Sequence, residues 1–396
     1  MKTSINISPA EYQSRIDRLA AYLDQKNLSV AVLYDPYYIL YFTGFAFTPT
    51  ERPITFFVTP SGEKGMLVPR LEVEHAKMYG IDHVAHYPEY PSVPHPIQSL
   101  ADILKELGVD GNFGSDGDGY PPLYGYKGPK LSDLVGAQVT DLHDFIEGMM
   151  MIKSPAEQKL IRESCTWGNL AHTLLQRYTR VGVTETDTAN QASNEATRAL
   201  MDSLGPIYRG QHMFFQGAVA MYRGQIGRGS AIPHALANNI MFQRGDVLVS
   251  GAGSAIWGYG SELERTMIIE PVSDDQRRFF DHMVALQDIA FETIKPGVPC
   301  SDVDKAVRKY YEDNDLMQYW RHHVGHGLGM RIHEAPFLDI NDHTQMAPGM
   351  VLSVEPGLYV PSAGGFRHSD TVLVTEDGME ILTFYPRDLE SLTILS

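Results

Sequence analysis

At residue 154 the chain carries Ser-Pro-Ala-Glu, and no other stretch fixes local structure so firmly. Ser154 can cap the free N–H groups of a helix, Pro155 suits its first position, and Glu157 can close a capping box. The spacing predicts a helix to about Tyr178 and a second over 185–203. Over 210–375 the texture changes to glycine, histidine and β-forming residues, interrupted by helical patterns at about 274–294 and 301–313. Two helices, strands, two helices, strands is the order of an α+β domain with one sheet covered by helices. Upstream, Ser8 stands three residues before Glu11 and opens the periodic run Tyr12, Ile16, Leu19, Leu23. Residues 29–34 read as a buried strand, 54–59 and 65–68 as a hairpin about a Ser-Gly turn, and 97–107 as a helix. This is a smaller α/β unit ending near residue 150, so the expected domains are 1–152 and 153–396.

At 396 residues, 43% apolar and 20% charged, the chain can build both cores. A formal net charge of -17 excludes the basic footprint that nucleic acid or an anionic membrane surface requires. No run approaches the ~18 apolar residues of a membrane span. Residues 1–9 lack the basic head and apolar run of a secretory leader, so a cytoplasmic protein is expected. Cys165 and Cys300 set no disulfide framework, and no Cys-x-x-Cys offers thiolate zinc or redox chemistry.

Candidate chemistry concentrates in the C-terminal half. Glu355 follows the apolar run Val351-Leu352-Ser353-Val354, where an unpaired carboxylate is costly to bury; the plainer reading is a strand end facing water. In GYGSELERT, residues 258–266, Glu262 and Glu264 are two apart and would share one face of a strand. Their repulsion calls for a cation, a proton or the nearby Arg265, unless both are solvated on an outer face. His326 is bracketed by Gly325 and Gly327, with His333-Glu334 following; glycine permits close approach of backbone or ligand, and a glycine-rich turn is the alternative. His234, in Ile-Pro-His-Ala, and Arg367, in Arg-His-Ser-Asp, complete the set. Gly251-Ala252-Gly253 is no dinucleotide loop, because it runs on into a strand.

In this order, these segments resemble the pita-bread family of Xaa-Pro dipeptidases, aminopeptidase P, methionine aminopeptidase and creatinase. The markers run along almost the whole chain: Tyr41-Phe42-Thr43-Gly44-Phe45, Pro233-His234, Arg265-Thr266, Lys295-Pro296-Gly297, GHGLG from Gly325, His333-Glu334-x-Pro336, Glu355-Pro356-Gly357 and Arg367-x-x-Asp370. The resemblance implies a pita-bread catalytic domain behind a creatinase-type N-terminal domain, and a homodimer. The family's metallopeptidases hold two ions with Asp, Asp, His, Glu and Glu. At those positions this chain has Gly251 (or Ser250, one register away), Glu262, His326, Glu355 and Ser369. The lost groups are anionic, and carboxylates both neutralise and bridge a dinuclear site.

The departure runs toward creatinase, the family's metal-free member. Leu263-Glu264-Arg265-Thr266 matches its LERT segment, His234 its active-site histidine, Glu355 its second clamping glutamate, and Arg52-Pro53 its carboxylate-binding Arg-Pro. Thr50 and Phe337 depart from its pattern, and ectoine hydrolase is a further similar scaffold. The expectation is therefore metal-independent, cofactor-free hydrolysis of a C–N bond in a small molecule bearing a carboxylate and a cationic nitrogen group. Glu264 and Glu355, with Glu262, would clamp that cation. His234 would be general base and then acid, while His326 and His333 would orient water. Arg52 and Arg367 would fix the substrate. The alternatives are a metal-dependent Xaa-Pro peptidase with one ion on Glu262, His326 and Glu355, and a non-catalytic peptide-binding module.

Overall fold

The structure, a computed structural model, describes residues 5–212 and 216–395. The chain divides into two compact units, Ile7–Met150 and the chain from Met151 onward. Among the described residues no helix is long and apolar enough to cross a membrane.

Local sequence sets where the N-terminal elements begin. Ser8 accepts a hydrogen bond from the Glu11 N–H and opens the helix Pro9–Lys26, which buries Ile16, Leu19 and Leu23. The strands are β1 (Ala31–Leu33), β2 (Thr55–Val58), β3 (Lys64–Pro69), β4 (His83–Tyr87), β5 (Phe113–Ser115) and β6 (Val139–Asp141). They form one mixed sheet in the order β4-β3-β2-β1-β5-β6. The hairpin expected about the Ser-Gly turn is β2–β3, closed where Gly62 adopts φ +83. Helix Pro96–Glu106 lays Ile97, Leu100 and Leu104 on Val30, Val32, Phe57 and Phe113.

In the C-terminal unit, Ser154 and Glu157 make the complete capping box of helix Pro155–Tyr178. Helices Glu185–Leu204, Asp274–Thr293 and Cys300–Asp313 stand where the periodicity placed them. The strands are β7 (Ala218–Met221), β8 (Val247–Ile256), β9 (Tyr259–Gly260), β10 (Leu263–Ile269), β11 (Gly325–Gly327), β12 (Glu334–Leu338), β13 (Val351–Val354), β14 (Gly357–Val360), β15 (Gly364–Arg367) and β16 (Ser369–Val374). The main sheet runs β12-β11-β13-β16-β10-β8-β7, every pair on that path antiparallel. This is the α+β arrangement that the element order predicted. Gly251-Ala252-Gly253 lies inside β8, in extended strand and not in a turn leading into a helix.

The glycines around His326 are not a turn. They are strand β11, and they permit the strand to be squeezed from both sides. A Cβ at Gly325 would lie 1.9 Å from the Ser353 carbonyl oxygen, and one at Gly327 would lie 2.4 Å from that of Ala335. Gly325→Ala should therefore force β11 off β13, costing about 1–3 kcal/mol as overpacking does. Chemical denaturation measures it, and an unchanged midpoint would refute the close-approach argument.

Helix Pro155–Tyr178 also carries His172, fully buried, whose Nε2 lies 2.6 Å from Ser250 Oγ. Burial, and then the charge of Arg265, push its pKa down to about 3. The folded chain thus disfavours the imidazolium, while the unfolded chain takes up a proton below pH ~6.5. The stability contribution is complete above ~6.5 and is lost as pH falls, by about 2 kcal/mol at pH 5. Unfolding of His172→Gln in urea at pH 7.5 and pH 5 should show a pH dependence flatter by about 2 kcal/mol than that of the parent chain. Equal slopes would remove His172 from the account of acid sensitivity.

Candidate active site

Three strands deliver the central groups. His326 is the middle residue of β11, Glu355 follows β13, and Glu262 precedes β10. Sheet pairing brings them together: His326 lies opposite Ser353 on β13, and β13 and β10 both pair with β16. One ligand atom from each of Glu262, His326 and Glu355 lies within 4.8 Å of the others. His326 Nε2 is 3.3 Å from Glu355 Oε1 and 4.0 Å from Glu262 Oε2. That nitrogen is buried and, among the described residues, makes no aligned hydrogen bond, while Nδ1 is 3.0 Å from the Gly327 carbonyl. An imidazole nitrogen and two carboxylates, held close with one buried nitrogen unsatisfied, suit a single divalent cation.

The electrostatics follow from the crowding. Burial, and then the Glu355 charge, raise the Glu262 carboxyl above its ordinary range. Burial opposes ionisation of Glu355 as well, but His326 and then Arg367 hold it well below the usual carboxylate range. Burial likewise disfavours the imidazolium of His326, yet the close Glu355 and the Glu262 charge lift its pKa to about 9.

Ser369, at the position of a family glutamate, donates from Oγ to Glu262 Oε1 at 2.7 Å, and Ser353 Oγ donates to the same oxygen at 2.8 Å. These hydroxyls fix the Glu262 carboxylate; they add no charge. Gly251, at the other lost position, pairs across the sheet with Glu264, and a Cβ there would lie 3.5 Å from Glu264 Oε1.

Glu264 is not a neighbour-free clamp. Arg367 takes it in a fork, with Nε on Oε2 and Nη2 at 2.8 Å from Oε1, and Arg223 Nη2 reaches Oε1 at 3.0 Å. Arg367 Nη1 donates to Tyr359 Oη at 2.8 Å, and its Nε is 3.6 Å from Glu355 Oε2. Arg367 thus sets the charge around Glu264 and Glu355. Sequence reasoning overlooked Arg223, Ser353 and Tyr359. An isolated arginine in a turn and a serine in an apolar strand carry no signal until the sheet is formed.

His333 stacks on His326 with ring centroids 3.8 Å apart. Partial burial, and then the His326 charge, bring its pKa down to about 4, so it stays neutral near pH 7. His234 is exposed on the segment after β7, close enough that its charge also acts on His333. Glu334, beside His333, accepts from Lys153 Nζ and from the Met330 and Arg331 N–H groups. Arg52 belongs to the N-terminal unit, where Glu51 and Glu89 hold its guanidinium.

Comparison with known proteins matches residues 159–376 to metallopeptidase family M24 and residues 15–152 to the creatinase/prolidase N-terminal domain. A Xaa-Pro dipeptidase of Pyrococcus furiosus is 26% identical, over 95% of this chain and 99% of its own length. A Xaa-Pro dipeptidase of Lactobacillus helveticus is 27% identical, over 96% of this chain and 99% of its own. Among solved structures, a dipeptidase from Mycobacterium ulcerans superimposes with a TM-score of 0.80 at 25% identity, covering 99% of this chain and 100% of that one.

These findings overturn the metal-independent, creatinase-like reading, because the relatives are named Xaa-Pro dipeptidases and the matching family is one of metallopeptidases. The reason for the error is physical. Counting lost ligands along the sequence took the loss of two carboxylates as the loss of both ions, whereas Glu262, His326 and Glu355 still converge on one point. The LERT glutamate that suggested a substrate clamp is neutralised by Arg367 within the fold. With the family matched over more than half its length, the chain belongs to metallopeptidase family M24 and is a hydrolase acting on C–N bonds.

Proposed function

We propose that the chain is a metal-dependent Xaa-Pro dipeptidase that works with one divalent ion on Glu262, His326 and Glu355. The observation that carries this reading is the convergence of those three side chains within 4.8 Å around a buried, unsatisfied imidazole nitrogen. The relatives named Xaa-Pro dipeptidases support the substrate class. Gly251 and Ser369 supply no carboxylate, which favours one ion over two.

When bound, the ion supplies a Lewis acid at the scissile carbonyl and a water of lowered pKa. The chain's residues do the rest. Glu262, His326 and Glu355 would hold the ion, His326 through its neutral imidazole, and the two carboxylates would supply the negative charge. Ser353 and Ser369 hold Glu262 in one rotamer. Arg367, braced by Glu264 and Tyr359, keeps Glu355 ionised. His333, neutral at pH 7, can donate to the developing oxyanion, and exposed His234 can carry a proton to the leaving nitrogen. Part of the same reading is a cytoplasmic homodimer; light scattering that returned the mass of one chain would remove the dimer from it.

The test is elemental analysis of protein expressed with manganese, cobalt and zinc, followed by hydrolysis of Xaa-Pro dipeptides with and without a chelator. About one ion per chain, with turnover abolished by the chelator and restored by metal, is the expected result. Near-zero metal with turnover that survives the chelator would overturn the reading.

A further inference from the structure

Beside Glu262 the C-terminal unit encloses a cavity of about 340 Å³. Val219, Met221, Leu328 and Ile332 give it apolar walls, Arg223 and Arg331 give it cations, and Glu262 and Glu264 give it carboxylates. We propose that Arg223 is the specificity-determining residue of this cavity, binding the free carboxylate of a substrate whose compact apolar body fills it. The proposal rests on the dipeptidase reading and names the feature of the dipeptide that is recognised, its C-terminal carboxylate.

Two independent observations carry it. The first is hydrogen bonding. The single carboxylate of Glu264 faces two guanidiniums, Arg367 through a two-point fork and Arg223 through one nitrogen at 3.0 Å. Arg223 Nη2 also reaches Gln225 Oε1 at 3.1 Å, and among the described residues its Nε and Nη1 make no hydrogen bond. Arg367 has Glu355 as a further counter-charge at 3.6 Å. Arg223 is thus held through one nitrogen only, with Nε and Nη1 to spare, on a side chain that is 37% exposed and lines the cavity. A fork of donors with no protein acceptor matches a carboxylate.

The second is backbone. Arg223 has φ +54 and Gly224 has φ +74, and the Gln225 N–H closes the turn on the Tyr222 carbonyl at 3.0 Å. Left-handed geometry at both central positions is that of a type I′ turn, which favours asparagine, aspartate or glycine at the first. An arginine held there is a local conflict of the kind found where a side chain serves a site. The turn is pinned from outside by the Gly224 N–H on Glu185 Oε2 at 2.8 Å, so the guanidinium is presented on a fixed base.

The experiment compares L-leucyl-L-proline with L-leucyl-L-prolinamide, which differ only in the carboxylate. Calorimetric affinities of the full chain should favour the acid by about tenfold or more, the loss expected when a charge-assisted hydrogen bond is removed. Arg223→Gln should bring the ratio to within about twofold, and Arg223→Lys, which keeps the charge without the fork, should retain an intermediate ratio. A parent chain that does not discriminate, or an Arg223→Gln variant that keeps the full ratio, overturns the proposal and leaves Arg223 a structural partner of Glu264. Absence of Xaa-Pro hydrolysis would instead sink the dipeptidase reading, while the acid-to-amide binding ratio still decides the role of Arg223.

Discussion

Replacing Glu355 by glutamine should lower kcat/KM by about 10³-fold, in the range of a lost group at the chemical centre, and remove the bound metal with it. The amide has the same shape, so packing after β13 is kept. It has no negative charge and turns an N–H toward either His326 or Arg367, both of which are donors. Glu262 would then be the only carboxylate among the three converging groups, and its ionisation is already disfavoured by burial. Metal content and activity should fall together. A Glu355→Gln protein that retained one ion per chain and activity within tenfold of the parent would remove Glu355 from the centre.

Replacing Lys153 by methionine should destabilise the C-terminal unit by about 3–5 kcal/mol, the cost of leaving a buried charge unpaired. Lys153 Nζ is 2.7 Å from Glu334 Oε2, and both side chains are 2% exposed. Glu334 cannot escape to water, because its other oxygen holds the Met330 and Arg331 N–H groups. At the usual entropy of unfolding, the melting temperature should drop by roughly 10 °C. Circular dichroism melts check it, and a shift below about 3 °C would show that the pair contributes little. The same contact anchors the turn before His333, so activity should decline with stability.

How much of this was legible depends on the range of the interaction. The Ser154–Glu157 box, the Ser8 cap and the hairpin at Gly62 are local, made by residues three or four apart, and each appeared where the sequence placed it. The α+β order followed from the same short-range periods. Glu262, His326 and Glu355 were recognisable as candidates one by one, because a carboxylate in an apolar strand and a histidine between glycines are each anomalous alone. Their joint meaning was not legible. Whether Glu264 faces a substrate or Arg367 depends on how β10 meets the β15–β16 segment. Reading the lost ligands one position at a time could not see that Ser353 and Ser369 orient Glu262.

The sequence by itself determined the helices, the two-domain order and the residues capable of chemistry, since caps, periods and side-chain types act over a few residues. Only the tertiary structure decided which charges are spent on each other and which remain for a ligand. Antiparallel pairing across the sheet from β11 to β8 brings Glu264 against Arg367 and leaves Glu262, His326 and Glu355 around one point. Charges interact through space in a medium that excludes water, and no local pattern records which of them will be neighbours.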